Sequence, residues 1–81
     1  MKTFDDLVFV QEKYYERAAL TFDNGLSISV LTGPHALVSE KGPYEAAMLD
    51  LDGIYVCNTV RAYITKEEVT EFMKEIKSIS L

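Results

Sequence analysis

The chain has 81 residues, 48 % of them apolar, with 13 acidic against 8 basic side chains and a net charge of −5. That length holds one domain, and that apolar share opposes disorder along the whole chain. The charge balance opposes a grip on nucleic-acid phosphates, and the lone Cys57 excludes an internal disulfide or a cysteine-based zinc site.

The opening MKTFDDLVF carries acids where a secretory leader needs an apolar stretch, so a cytoplasmic protein is expected. No apolar run is long enough for a membrane-spanning helix. Two readings of this segment stand. Either Phe4, Leu7 and Val8 cap the core from a turn of helix, or Leu7 to Val10 forms an edge strand. Asp5 and Asp6 suit both.

Residues 14–32 carry a hairpin signal around Asp23-Asn24-Gly25. A two-residue Asn24-Gly25 loop would set Phe22 against Ser27 and Leu20 against Ser29, mixing apolar and polar groups on one face. A three-residue loop pairs Phe22 with Leu26, Leu20 with Ile28 and Ala18 with Val30. Thr21, Ser27, Ala19 and Ser29 then share the other face. A one-residue slip exchanges the faces, so the pattern selects the three-residue loop, with Gly25 in the left-handed position of a bulged turn.

Two Gly-Pro pairs bracket residues 33–43, which predicts an ordered connecting loop. Its Ala36-Leu37-Val38 either adds a short edge strand or plugs the core. Residues 44–58 resemble a second hairpin. A two-residue Asp52-Gly53 turn would pair Leu51 with Ile54, Leu49 with Val56, Met48 with Cys57 and Asp50 with Tyr55. Cys57 is then a small buried side chain in a strand. Both faces are apolar, so this hairpin is expected to be central or covered twice.

The period changes at Thr65. Thr65 and Glu68 match a capping box, and Ile64 with Val69 has the spacing of a hydrophobic staple. Val69, Phe72, Met73 and Ile76 then recur on one helical face to about residue 77. Glu67 and Glu68 favour the positive end of the helix dipole, and Lys74 and Lys77 the negative end.

Chemistry-bearing patterns are sparse. Asp50 and Asp52 at a turn could hold a divalent ion, but turn chemistry accounts for them more simply. We expect no catalytic residues, cofactor or metal. Glu67, Glu71 and Glu75 form an acidic helix face, either merely solvated or presented to a basic partner. Tyr15 and Arg17, at the start of the first hairpin, join them as candidate partner contacts. His35, Lys41, Tyr44 and Arg61 form an alternative set for a small anionic ligand.

Several short stretches together resemble small accessory proteins of tailed phages and prophages. They are Lys2-Thr3-Phe4-Asp5-Asp6-Leu7 with Phe9, Phe22 with Asn24-Gly25, Ser29-Val30, Tyr44-Glu45 leading to Met48-Leu49, and Tyr63-Ile64-Thr65 with Glu67-Glu68-Val69. In that family the connector before the helix is longer and contains Pro and Asp, whereas Cys57 to Ala62 is short here. The resemblance implies a protein of the bacterial host cytoplasm that disables a host defence.

Taken together, the expected fold is α+β: an antiparallel sheet of about four strands, from two hairpins, with one C-terminal helix packed on a face of a single domain, residues 1–81. The expected function is stoichiometric inhibition of a bacterial defence component, such as a CRISPR complex, through a basic surface of that host protein. The alternative is an oligomeric sponge for a signalling nucleotide or other small anion. Self-association, as a homodimer or larger homo-oligomer, is expected from the open edges of a small sheet. No direct nucleic-acid contact and no membrane contact are expected.

Overall fold

The computed structural model, which describes residues 2–81, arranges five antiparallel strands in one sheet, ordered as they occur in the chain. They are β1 (Val10–Gln11), β2 (Glu16–Thr21), β3 (Ser27–Thr32), β4 (Tyr44–Leu49) and β5 (Arg61–Ile64), followed by the helix α1 (Lys66–Lys77). The fold is thus α+β with a C-terminal helix, and the sheet has one strand more than the four expected.

The first hairpin has the register that its pattern selects. Ala18 pairs with Val30, Ala19 with Ser29, Leu20 with Ile28 and Thr21 with Ser27. The Phe22 amide donates to the Leu26 carbonyl at 2.8 Å, and the Gly25 amide donates back to the Phe22 carbonyl at 2.9 Å. Gly25 has φ +88°, a conformation that side chains with a Cβ resist. The three-residue loop therefore sends Ile28 and Val30 into the core, where both are fully buried.

The second turn differs from its expected register. The Asp50 amide donates to the Ile54 carbonyl, and the Val56 amide to the Met48 carbonyl. The loop therefore has three residues, Leu51-Asp52-Gly53, and Leu49 rather than Asp50 sits opposite Tyr55. The Asp50 carboxylate explains the choice: its Oδ1 accepts the amides of Asp52 and Ile54, each at 2.9 Å. The returning arm is not a strand. The Thr59 hydroxyl accepts the Met48 amide and donates to the Val56 carbonyl, taking over a ladder position while the chain turns out at residues 57 and 58. Cys57 consequently lies exposed, not buried in a strand.

The strand that does pair with β4 is β5, which begins in the last two residues of the Cys57–Ala62 connector and runs on to Ile64. Tyr44 faces Ile64 and Ala46 faces Arg61, with a bulge between them. Tyr63 occupies that bulge with φ +58°. Loop 33–43 is ordered by turns and contributes no strand. Leu37 is half exposed rather than a core plug, and its carbonyl accepts the Tyr63 amide at 3.0 Å.

Of the two readings of the N-terminus, the turn of helix is present, while the edge strand expected over Leu7 to Val10 overlaps the observed one only at Val10. Phe4–Asp6 form a 3₁₀ turn, and Val10–Gln11 pair with Arg17 and Glu16 as a short edge strand. Val8 is exposed and caps nothing. The Phe4 ring packs edge-on against Tyr44, with centroids 4.8 Å apart, and Phe9 stands 5.9 Å from each of them.

The helix begins with the predicted reciprocal cap. The Glu68 amide donates to Thr65 Oγ1 at 3.2 Å, and the Thr65 amide donates to Glu68 Oε1 at 3.0 Å. Val69, Phe72, Met73 and Ile76 are buried against the sheet, together with Ile64. This arrangement leaves the sheet with one face covered by α1 and an opposite face that is open in part, since Ser27, Ala47 and Leu49 on it are already buried. The open face carries the rows Arg17–Leu31–Glu45 and Ala19–Ser29–Ala47 across β2, β3 and β4.

Candidate functional site

The predicted site residues divide between the two faces of the sheet. Glu67, Glu71 and Glu75 lie on the exposed side of α1. Arg17 belongs to the opposite, open face, where its Nε donates to Ser29 Oγ at 3.0 Å. Tyr15 is half buried in the turn before β2. The five therefore do not form one surface.

Within the acidic trio the carboxylates are not equivalent. Glu75 makes a bidentate pair with Arg61, both N–H···O distances being 2.8 Å. Arg61 also lies over the Phe72 ring, 4.0 Å from its centroid. Its stem and guanidinium thus cover a core aromatic while neutralising Glu75. The hydrogen bond from Arg61 holds the Glu75 carboxyl below its ordinary value, and the same bond raises Arg61. Glu71 accepts from Lys74 at 3.2 Å, one turn along the helix. Among the described residues, Glu67 forms no ion pair.

Glu67 and Glu71 instead line a shallow groove of about 350 Å³ between the N-terminal turn and α1, together with Asp5 and Lys66. The Phe4 amide fixes its wall by donating to Thr70 Oγ1 at 3.0 Å. The turn itself is closed by the Thr3 amide donating to Asp6 Oδ2 at 2.7 Å. Asp5, Glu67 and Glu71 face Lys66 here, and Glu71 is also paired with Lys74, so the groove keeps a modest excess of negative charge. Asp5 and Thr70 were missed as site residues because the contact joins positions 4 and 70, and no local pattern signals it.

A second groove, of about 380 Å³, lies between the N-terminal turn, the first hairpin and the end of α1. Lys2 and Lys77 there oppose Asp6 and Asp23, so its field largely cancels. The smaller volume is therefore the more selective feature.

The alternative ligand set does not converge. His35 packs against the Tyr14 ring at 4.9 Å, Tyr44 belongs to the aromatic cluster under the N-terminal turn, and Arg61 is committed to Glu75. Lys41 is exposed in the loop. None of the four lines either large groove. The Asp50 carboxylate is taken up by the turn, and among the described residues no three His, Cys, Asp or Glu side chains gather to hold a metal ion. Among those residues no helix is long and apolar enough to cross a membrane. In comparisons with known proteins the chain matches no family model, no curated protein and no solved structure.

Proposed function

We propose that the chain is a non-catalytic binding protein of the bacterial host cell, carried by a phage. It inhibits a defence component, such as a CRISPR complex, by occupying it one for one. The observation that carries this reading is the electronegative groove bounded by Asp5, Glu67 and Glu71. Its carboxylates sit on a rigid helix and a tethered turn, so little ordering is needed when a partner arrives. A net charge of −5 steers the protein toward a basic surface, the kind that normally holds nucleic-acid phosphates. A lysine or arginine entering the groove would meet opposed carboxylates and an apolar wall from Phe4. The phage-protein resemblance supplies the class of target. The nucleotide-sponge reading is not carried further, because His35, Lys41, Tyr44 and Arg61 do not converge and Arg61 is engaged by Glu75.

The test is titration of purified protein into reconstituted defence complexes, beginning with CRISPR effectors, with target cleavage as the readout. Inhibition that saturates at one equivalent per complex is expected. No inhibition across the panel, or inhibition by substoichiometric amounts as a catalyst would give, overturns the proposal.

A further inference from the structure

We infer that the open face of the sheet is the interface of a two-fold homodimer, with Arg17 of one copy paired with Glu45 of the other. The argument begins with register. Arg17, Leu31 and Glu45 lie side by side on β2, β3 and β4, all pointing away from α1. A two-fold axis running along β3 in the plane of the interface exchanges β2 with β4 and keeps each row at its own height. Arg17 then faces the second copy's Glu45, Glu45 faces its Arg17, and Leu31 meets its own equivalent. One row of one strand order thus provides two ion pairs and a central apolar contact, the self-complementarity that an isologous interface requires.

The neighbouring row allows the approach. Ala19 is exposed, Ser29 half-buried and Ala47 already buried beside its larger neighbours, so no large side chain in this row stands between two sheets at the ordinary face-to-face spacing of about 10 Å. Tyr55, half exposed, borders a shallow hollow of about 30 Å³ on this face with Ala47, Leu31 and Glu45. The same axis sets the exposed Ala19 of the second copy against the Ala47 column, where the lack of a large side chain leaves space for the Tyr55 ring. Arg17 and Glu45 each retain bonding capacity. Only Nε of Arg17 is used, by Ser29, and only Oε1 of Glu45, by the Leu37 amide at 2.8 Å. Among the described residues neither belongs to an ion pair. The occupant is therefore a second copy, because the charges match across the axis without a new partner.

The test is sedimentation of the full chain over a micromolar concentration series, with melting curves recorded alongside. Wild type is expected to dimerise, and added salt to weaken the dimer. R17E and E45R are each expected to weaken it about tenfold or more, and the R17E/E45R pair to restore it. Ala19→Lys, at an exposed position, is expected to give a monomer that still unfolds cooperatively, with a melting temperature that no longer rises with protein concentration as that of the wild-type dimer does, and it decides the question if R17E fails to fold. A wild type that stays monomeric overturns the inference. So does a dimer that survives R17E and Ala19→Lys, which would mean pairing through a sheet edge. Failure of the double exchange to restore association removes the Arg17–Glu45 pairing.

Discussion

The side-chain amide of Asn24 donates to the carbonyl of Ile76 at 2.9 Å, tying the tip of the first hairpin to the end of α1. The same amide reaches the Ile79 carbonyl at 3.1 Å, while Asn24 Oδ1 accepts the Leu26 amide at 3.1 Å. The last carbonyls of a helix have no partner within it, and Asn24 here joins the Ile79 amide in satisfying that of Ile76. Asn24→Ala should therefore lower stability by about 1–2 kcal/mol, read as a shifted denaturation midpoint. Asn24→Asp keeps the acceptor for Leu26 but sets a carboxylate against carbonyls at the negative end of the helix dipole. It should be at least as damaging, and an Asp variant as stable as wild type would contradict the capping role.

Gly42 is required for a different reason. A Cβ added there would overlap the backbone carbonyl of Tyr63, in the bulge of β5. A clash with backbone cannot be relieved by turning a side chain. Gly42 is also held from both sides: its carbonyl accepts the Ser39 amide at 2.8 Å, and its amide donates to Ser39 Oγ at 3.2 Å. Gly42→Ala is expected to destabilise by on the order of 3 kcal/mol or more. Gly53→Ala meets nothing within 4 Å and carries only the strain of φ +76°. It should cost about 1–2 kcal/mol. Paired thermal melts check the order, and equal losses would refute it.

The contrast between the two turns shows what a sequence discloses. The first hairpin was legible because only one loop length separates Leu20, Ile28 and Val30 from Thr21, Ser27 and Ser29. The helix was legible because Thr65 and Glu68 satisfy each other within four residues. The second turn was not, because both faces around it are apolar and pattern could not choose a register; the Asp50 carboxylate chose it. β5 escaped notice because it has four residues and a bulge, which break the alternation. The acidic helix face was visible in the spacing of Glu67, Glu71 and Glu75, but its division was not. Which carboxylate finds Arg61 depends on where β5 runs relative to the helix, and sequence spacing does not give that.

That division gives a dependence on pH. Glu75 is held below its ordinary value of 4.5 by the Arg61 hydrogen bond. A carboxyl depressed in the folded state stabilises it above the unfolded value, and the contribution disappears as pH falls through the folded one. Coupling between Arg61→Ala and Glu75→Gln, measured by a double-mutant cycle, should therefore be present at neutral pH. It should fade below the ordinary value and vanish in stronger acid. Arg61→Ala should also remain the more damaging single change in acid, because it uncovers Phe72. Coupling that persists in strong acid would mean that packing, not charge, joins the two residues.

The same division sets the test of the acidic groove. Reversing Glu75 would confound binding with the loss of its Arg61 pair, so the informative exchange is E67K/E71K. Both side chains are exposed, but Glu67 stands in the first turn of the helix, so the exchange should lower stability by about 1 kcal/mol, through the lost dipole interaction and the like charge now beside Lys74, while the chain stays folded. Inhibition of the target should weaken about tenfold or more. The control is E12K/E40K, which changes net charge by the same amount at exposed positions outside the groove. Long-range steering depends on total charge and would weaken in both variants, whereas docking into the groove would weaken only in the first. Equal losses in the two variants would reduce the acidic face to a general electrostatic effect.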